Sequence, residues 1–403
     1  MSKDTFIVDG ARTPIGKFGG ALSNIRTDDL AAHVIKSLVE QHDFDHSNID
    51  DVIIGCANQA GEDNRNIARM ALLLAEIPYS VPGETINRLC ASGMSAIVHA
   101  HRSIQVGDGD LFIAGGVEHM TRAPWVISKS ANAYGRDAKM YDTSFGWRFI
   151  NPKLDEIYGT EGMGLTAENL VEKYNISRKD QDFYAYNSQI KASRAQELGR
   201  FDSEIIPIEI HQKKAQSIKF DTDEFIKPNT SIEGLSKLNP AFKKGGTVTA
   251  GNSSGINDGA GVILIASNKG LERHGFKPIS RIVTSAVIGV EPRVMGIGPV
   301  LATQKALSKS GLKMNDIDII EINEAFSAQV LACIRELGLE DQDERINPNG
   351  GAIALGHPLG MSGSRIIQTA AIELQNSNKK YALITMCIGV GQGYAVIIEN
   401  VNK

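Results

Sequence analysis

The hydrophobic positions of this chain switch repeatedly between the 3.6-residue spacing of amphipathic helices and short unbroken apolar runs. TFIVDG near the N-terminus reads as a strand. DDLAAHVIKSLVE then reads as a helix and, after a short linker, NIDDVIIGCAN as a buried strand. Far downstream GPVLATQKALSKSGL and NDIDIIEINEAF repeat that order, and Asp51 pairs with Asp318 at an offset of 318 − 51 = 267 residues. SGMSAIVHAHRSI and LGMSGSRIIQTAAIEL form a second matched pair, with Met94 on Met361 at the same offset. Both open with small residues and continue as helices, and each is followed by an apolar strand, DLFIAGGVE or YALITMCIGV. The pattern predicts two duplicated α/β halves, with parallel strand pairing and helices on the sheet faces.

Between the halves the buried-strand signal fades and charge and helix breakers increase. TAENLVEKYN and SRKDQDFYAYNSQIKASRAQELG read as helices, the second capped by Ser177. We expect an N-terminal half made of residues 1–121 with 248–274, an inserted loop domain over 122–247, and a C-terminal half over 275–403. The insertion is expected to cover the active site and carry substrate specificity.

A length of 403 residues allows two or three domains, and 42% hydrophobic with 22% charged residues fits an ordinary globular protein. The net charge of −5 gives no reason to expect nucleic-acid binding. The four cysteines (56, 90, 333 and 387) have neither C-x-x-C nor zinc-ligand spacing, so the expectation is free thiols, no metal and a reducing compartment. No apolar run approaches the ~20 residues that span a bilayer. The first residues do not read as a signal peptide, so the expected location is cytoplasmic, with no membrane partner.

The chemistry concentrates at three glycine-rich places: Cys90 in NRLCASGMSA, His357 in GGAIALGHPLGMSGS and Cys387 in ITMCIGVGQG. The 267-residue offset puts Cys90 and His357 at equivalent positions, each at the mouth of a helix. A thiol there is expected to shift toward thiolate, with His357 as base or oxyanion donor. Cys387, expected to titrate near the working range, is suited to moving a proton on and off carbon. The turn of Gly389, Gly391 and Gly393 can aim N–H groups at an oxyanion; a phosphate cradle is its rival reading. Asn323 reads as a helix cap, an oxyanion-site residue, or both. Cys56 and Cys333 read as core, and Met163 as core or pocket wall. A nucleophile with separate acid/base groups points to acyl transfer on a thioester.

The segments ARTPIGKFGG, NRLCASG, GGVEHM, GTVTAGNSSGINDGA, NEAF, GGAIALGHPLG and CIGVGQG, in this order, resemble the thiolase family along essentially the whole chain. The resemblance implies a thiolase fold: two duplicated βαβαβαββ halves in a five-layer α-β-α-β-α core, plus an inserted loop domain. It also implies a homodimer or homotetramer, and coenzyme A thioesters as substrates with no permanently bound cofactor. By the same resemblance, Cys90 is the acylated nucleophile, His357 its base and Cys387 the acid/base at the α-carbon. Asn323 with His357 lines one oxyanion hole, and the N–H groups of Cys90 and Gly389 form the second. Ser254, Ala325 and Phe326 line the pantetheine path, Met163 belongs with the substrate contacts, and Lys227 lies near the nucleotide end. The implied mechanism is ping-pong.

VPGETINRLC, YDTSFGWRFINP and LEDQDERINPNGGAIALGHPLG are most similar to the 3-oxoadipyl-CoA thiolase branch of aromatic degradation. That substrate has a distal carboxylate, so a pocket cation is expected from among Arg122, Arg136, Lys139 and Arg148. GMGLTAEN departs from the branch after its methionine, which leaves acetoacetyl-CoA and medium-chain 3-ketoacyl-CoA thiolases as alternatives. A ketoacyl synthase would carry histidine at position 323 and lack Cys387. A silent thiolase-like lipid carrier would lose Cys90, His357 or Cys387.

Overall fold

In the computed structural model, which describes residues 4–211 and 216–403, the alternating pattern becomes two similar halves. The first runs strand Thr5–Arg12, helix Thr27–Glu40, strand Asp51–Gly55, helix Ile67–Leu74, strand Gly83–Ile86, helix Ser92–Val106 and strand Leu111–His119. It closes much later with strand Asn257–Ser267. The second runs strand Ser280–Gly289, helix Gly298–Ser310, strand Ile319–Ile322, helix Ser327–Glu336, helix Leu359–Asn376, and strands Tyr381–Ile388 and Gln392–Asn400. Its counterpart of strand Gly83–Ile86 is reduced to a single bridge between Ile320 and Ile346.

The pairing is only partly parallel, contrary to expectation. Asp51–Gly55 lies parallel to both Gly83–Ile86 and Leu111–His119, and Ile319–Ile322 lies parallel to Tyr381–Ile388. The strands of each half that lie toward the other half pair antiparallel. The reason is connectivity: Gln392–Asn400 returns from Tyr381–Ile388 through a three-residue turn, and a tight return forces antiparallel pairing. The two sheets meet edge to edge where Phe6 pairs with Arg281 and Ile7 with Ser280.

Helices Ser92–Val106 and Leu359–Asn376 form the layer between the two sheets. Met94, Ile97, Ile366 and Ile367 there pack against Ile263 and Ile265 of one sheet and Ile384 and Val396 of the other. Each such fully buried aliphatic side chain contributes about 2 kcal/mol. Helices Thr27–Glu40 and Ile67–Leu74 cover one outer face, and Gly298–Ser310 and Ser327–Glu336 the other, completing five layers. The central helices approach closely because Gly93 and Gly360, one offset apart, face each other: a Cβ on Gly93 would sit 2.5 Å from the Gly360 carbonyl oxygen.

The offset holds for these helices, which begin at Ser92 and Leu359, but drifts in the strands. Asp50, not Asp51, is the functional match of Asp318. Asp50 Oδ2 accepts the N–H groups of Asp110 and Leu111, and Asp318 Oδ2 those of Lys380 and Tyr381. Each aspartate caps the start of the neighbouring strand.

The described residues of 122–247 form two short hairpins and four helices, among them Met163–Tyr174 and Arg178–Glu197. Ser177 Oγ caps the latter by accepting the Asp180 N–H (3.1 Å). The segment shares the common core: Ala192, Phe201 and Ile205 pack with Ile15, Leu355 and Met361. Buried Arg12 of the first strand is held by Glu204 (3.1 Å) and Asp223 (2.8 Å), which lie at the far end of this segment. Removing Arg12 would leave Asp223 as an uncompensated buried charge, at a cost of about 3–5 kcal/mol.

Candidate active site

Cys90 lies in the 3₁₀ turn Leu89–Ala91, where the chain turns from strand into helix. Leu89 adopts φ 48°, a left-handed conformation unusual for leucine. The turn is held by Asn87 Oδ1, which accepts the Leu89 N–H (2.9 Å), and by Ser92 Oγ, which accepts from Arg88 N and donates to Leu89 O. It packs against helix Leu359–Asn376 and strand Tyr381–Ile388. After that strand, Val390 (φ 62°) and Gly391 (φ 82°) reverse the chain, and the N–H of Gly389 reaches the Cys90 sulfur together with Cys90's own N–H. Two strained non-glycine residues therefore flank the sulfur, each costing about 1–3 kcal/mol.

The expected shift of Cys90 toward thiolate does not occur. Burial pushes the thiol up to about 11, and the nearby Glu118 charge acts in the same direction. The two backbone N–H groups offset only part of this. Desolvation outweighs the helix terminus.

His357 follows Gly356 (φ 106°), and its N–H donates to Asn257 Oδ1 (3.0 Å). Its Nδ1 lies 2.6 Å from Ser362 Oγ, whose own proton goes to Pro358 O (2.8 Å). Nδ1 must therefore donate, which leaves Nε2 of the neutral ring as the acceptor. Burial, reinforced by the charge of Arg365, pulls His357 down to about 4, so the ring is neutral at pH 7. Nε2 sits 3.4 Å from Asn323 Nδ2. Asn323 ends a strand, donates its N–H to Thr385 O (3.0 Å), and has a buried Oδ1 without a partner among the described residues.

Cys387 is buried, and its thiol is pushed well up by burial and by neighbouring Cys90 and Cys333. It does not titrate in the working range, as the sequence had suggested, but holds its proton. Cys56 and Cys333 are fully buried, as expected of core residues.

Cys90, Gly389 and Met163 line one cavity of about 390 Å³ together with Glu118, Trp147 and Arg148. Arg148 Nη2 donates to Asn58 Oδ1 (3.0 Å) and O (3.4 Å). The other expected cations lie elsewhere: Arg122 is paired with Glu62 (2.5 and 2.8 Å), and Arg136 and Lys139 are exposed away from the cavity. The Ser254 N–H donates to Ala325 O (3.0 Å) and Ser253 bridges Phe326, so the three residues expected on the pantetheine path are neighbours. Lys227 lies over the ring of Phe225 (4.6 Å), which packs on Gly255 beside Ser254. A larger cavity of about 820 Å³, between helix Arg178–Glu197 and residues 341–349, holds none of these groups.

Sequence reasoning missed three residues that hold the site. Ser362 and Asn257 orient His357, yet lie within quoted segments as ordinary polar residues. Glu118, in GGVEHM, is buried and pushed up to about 7 by burial, while its oxygens accept the N–H groups of Ala57, Asn58 and Gly360. Cys56, Asp63 and Glu118 bring donor atoms within 4.8 Å of one another. Backbone N–H groups already occupy both carboxylates, so the cluster reads as a brace for the loop after strand Asp51–Gly55.

The thiolase N-terminal domain family matches residues 5–269, and the thiolase C-terminal domain family residues 276–400. The chain is 54% identical to the 3-oxoadipyl-CoA/3-oxo-5,6-dehydrosuberyl-CoA thiolase of Escherichia coli (strain K12), over 99% of this chain and 100% of that one. It is also 54% identical to a beta-ketoadipyl-CoA thiolase of Pseudomonas aeruginosa, over the full length of both. The solved structure of human mitochondrial 3-ketoacyl-CoA thiolase superposes with a TM-score of 0.92 at 41% identity, covering 99% of each chain. With both family domains in sequence order and the duplicated scaffold around Cys90, this chain belongs to the thiolase family.

Proposed function

We propose that this thiolase cleaves 3-oxoadipyl-CoA with coenzyme A to give acetyl-CoA and succinyl-CoA, through an acyl-Cys90 intermediate. The observation that carries the site assignment is that the Cys90 turn and the Gly389–Val390 turn line one cavity, with backbone N–H groups of both on the side of the sulfur. The substrate reading draws on the printed activities of relatives matched over their whole length.

The thiol of Cys90 is protonated at rest, so its proton must leave as the sulfur attacks the 3-keto carbon. His357 is suited to take it at Nε2, because Ser362 holds the other nitrogen as a donor. Asn323 Nδ2 and the resulting imidazolium N–H can then stabilise an enolate oxygen. The N–H groups of Cys90 and Gly389 serve the oxygen of the acyl-enzyme. Breaking the carbon–carbon bond releases the acetyl-CoA enolate, which Cys387 protonates from its high-pKa thiol. Coenzyme A, entering along Ser254, Ala325 and Phe326 with Lys227 at the outer end, gives its thiol proton to the Cys387 thiolate and its sulfur takes the acyl group, while the released Cys90 sulfur recovers its proton from His357. Condensation is the reverse.

We assign substrate selection to residues 122–247, which supply Thr143–Arg148 and Met163 to the cavity. The same segment leaves Trp125 (70%), Ile127 (67%) and Met140 (62%) exposed on one hairpin. Such a surface suits burial against another copy of the chain, in a homodimer or homotetramer. Among the described residues no helix is long and apolar enough to cross a membrane, and four free cysteines suit the cytoplasm. The deciding test compares turnover of 3-oxoadipyl-CoA, acetoacetyl-CoA and 3-oxooctanoyl-CoA. The six-carbon diacid should give the highest kcat/KM; if it ranks last, the substrate assignment is wrong.

A further inference from the structure

Among the described residues, Arg148 is the only lysine or arginine lining the cavity that holds Cys90. Its Nη2 is tied to Asn58, while its Nε and Nη1 have no hydrogen-bond partner and the guanidinium no carboxylate partner among the described residues. Asn58 is itself fixed: its N–H donates to Glu118 Oε1 (3.0 Å) and its Nδ2 to Thr143 Oγ1 (3.2 Å), and the Thr143 hydroxyl donates to Pro124 O (2.7 Å). The one carboxylate in the cavity, Glu118, is occupied by the N–H groups of Ala57, Asn58 and Gly360. A part-buried guanidinium is thus held by one edge, with donors left over, in the space where the acyl group must lie. A planar fork of this kind recognises a carboxylate through paired N–H···O bonds.

The geometry points to Arg148 as the specificity-determining residue that receives the distal carboxylate of a dicarboxylic 3-oxoacyl-CoA and of the succinyl group it leaves on Cys90. This assignment rests on the substrate reading above and names the group that enforces it. Asn58 acts through Arg148 as a positioning residue.

The test uses two substrates that differ only at the acyl end, 3-oxoadipyl-CoA and 3-oxohexanoyl-CoA, and reads the ratio of their kcat/KM values. Any contribution of Arg148 to binding the shared coenzyme A cancels in that ratio. The wild-type ratio should favour the diacid, Arg148→Gln should lower it by about 100-fold, and Arg148→Lys should restore part of it. If thermal unfolding shows that Arg148→Gln does not fold, Arg148→Met, which keeps an apolar stem, carries the same expectation. A wild-type ratio near one would overturn the substrate reading and this assignment with it. A diacid-favouring wild type with an unchanged ratio in the variants would overturn the Arg148 assignment alone, and so would an equal loss on both substrates.

Discussion

The resting ionisation of Cys90 can be tested directly, by alkylating the free enzyme across a range of pH. Burial places the thiol at about 11, so only about one molecule in 10⁴ carries the thiolate at pH 7, against about one in 10² for an unperturbed thiol of pKa 9.0. A thiolate of higher pKa is more nucleophilic; a Brønsted slope of about 0.4–0.5 recovers close to tenfold of that hundredfold deficit. Cys90 should therefore react with iodoacetamide about tenfold more slowly at pH 7 than a cysteine in a short peptide. The rate should climb about tenfold per pH unit from 7 to 9 without levelling. The modified site is unambiguous, because Cys56, Cys333 and Cys387 are buried and Cys90 is the cysteine partly open to the cavity. The assay is loss of free Cys90 against time, followed by peptide mass at each pH. A plateau with a midpoint at or below pH 8 would show a resting thiolate–imidazolium pair. Desolvation would then not outweigh the helix terminus at Cys90.

Ser362→Ala leaves the buried Nδ1–H of His357 without an acceptor, a cost of about 1–3 kcal/mol, and releases the tautomer. kcat should fall at least about tenfold, and the acidic limb of the pH–rate profile should move; wild-type kinetics would remove Ser362 from the positioning role. Glu321 is fully buried, with neither oxygen hydrogen-bonded among the described residues and Arg365 Nη1 3.9 Å away, and burial pushes it up to about 8. Its folded-state value lies above its unfolded one, so its stabilising contribution is complete below about pH 4.5 and is lost as pH rises through about 8. Glu321→Gln should therefore match wild type in denaturant unfolding at pH 5 and exceed it at pH 9; a variant weaker at pH 9 would mean that the ionised pair with Arg365 stabilises the fold. Val390→Gly relieves a β-branched residue at φ 62°, a gain of about 1–3 kcal/mol offset by about 0.5–1 kcal/mol of glycine chain entropy. Tm should rise slightly while kcat/KM falls, since the turn that aims the Gly389 N–H loosens; a lower Tm would contradict the strain argument.

What the sequence disclosed and what it concealed divide along one physical line. Repeat spacing is a property of the chain, so the equivalence of Cys90 and His357, one offset apart at two helix mouths, was readable before any coordinate. The drift that makes Asp50 the true counterpart of Asp318 was not, because it depends on which carboxylate reaches the neighbouring strand's N–H groups. Antiparallel closure of each sheet was hidden in a three-residue turn and in a strand returning from beyond the insertion. The titration behaviour of Cys90, His357 and Cys387 was hidden more deeply. A helix N-terminus can be recognised in the sequence and argues for thiolate, but the desolvation that opposes it comes from walls contributed by distant segments. Those walls also decide Arg148, one of four cations that looked alike in sequence. Arg122 is neutralised by Glu62, Arg136 and Lys139 point to solvent, and only Arg148 is carried to the cavity that holds Cys90. Residue type proposes a chemistry; enclosure sets the protonation state in which each group waits and the charge it has left to offer a substrate.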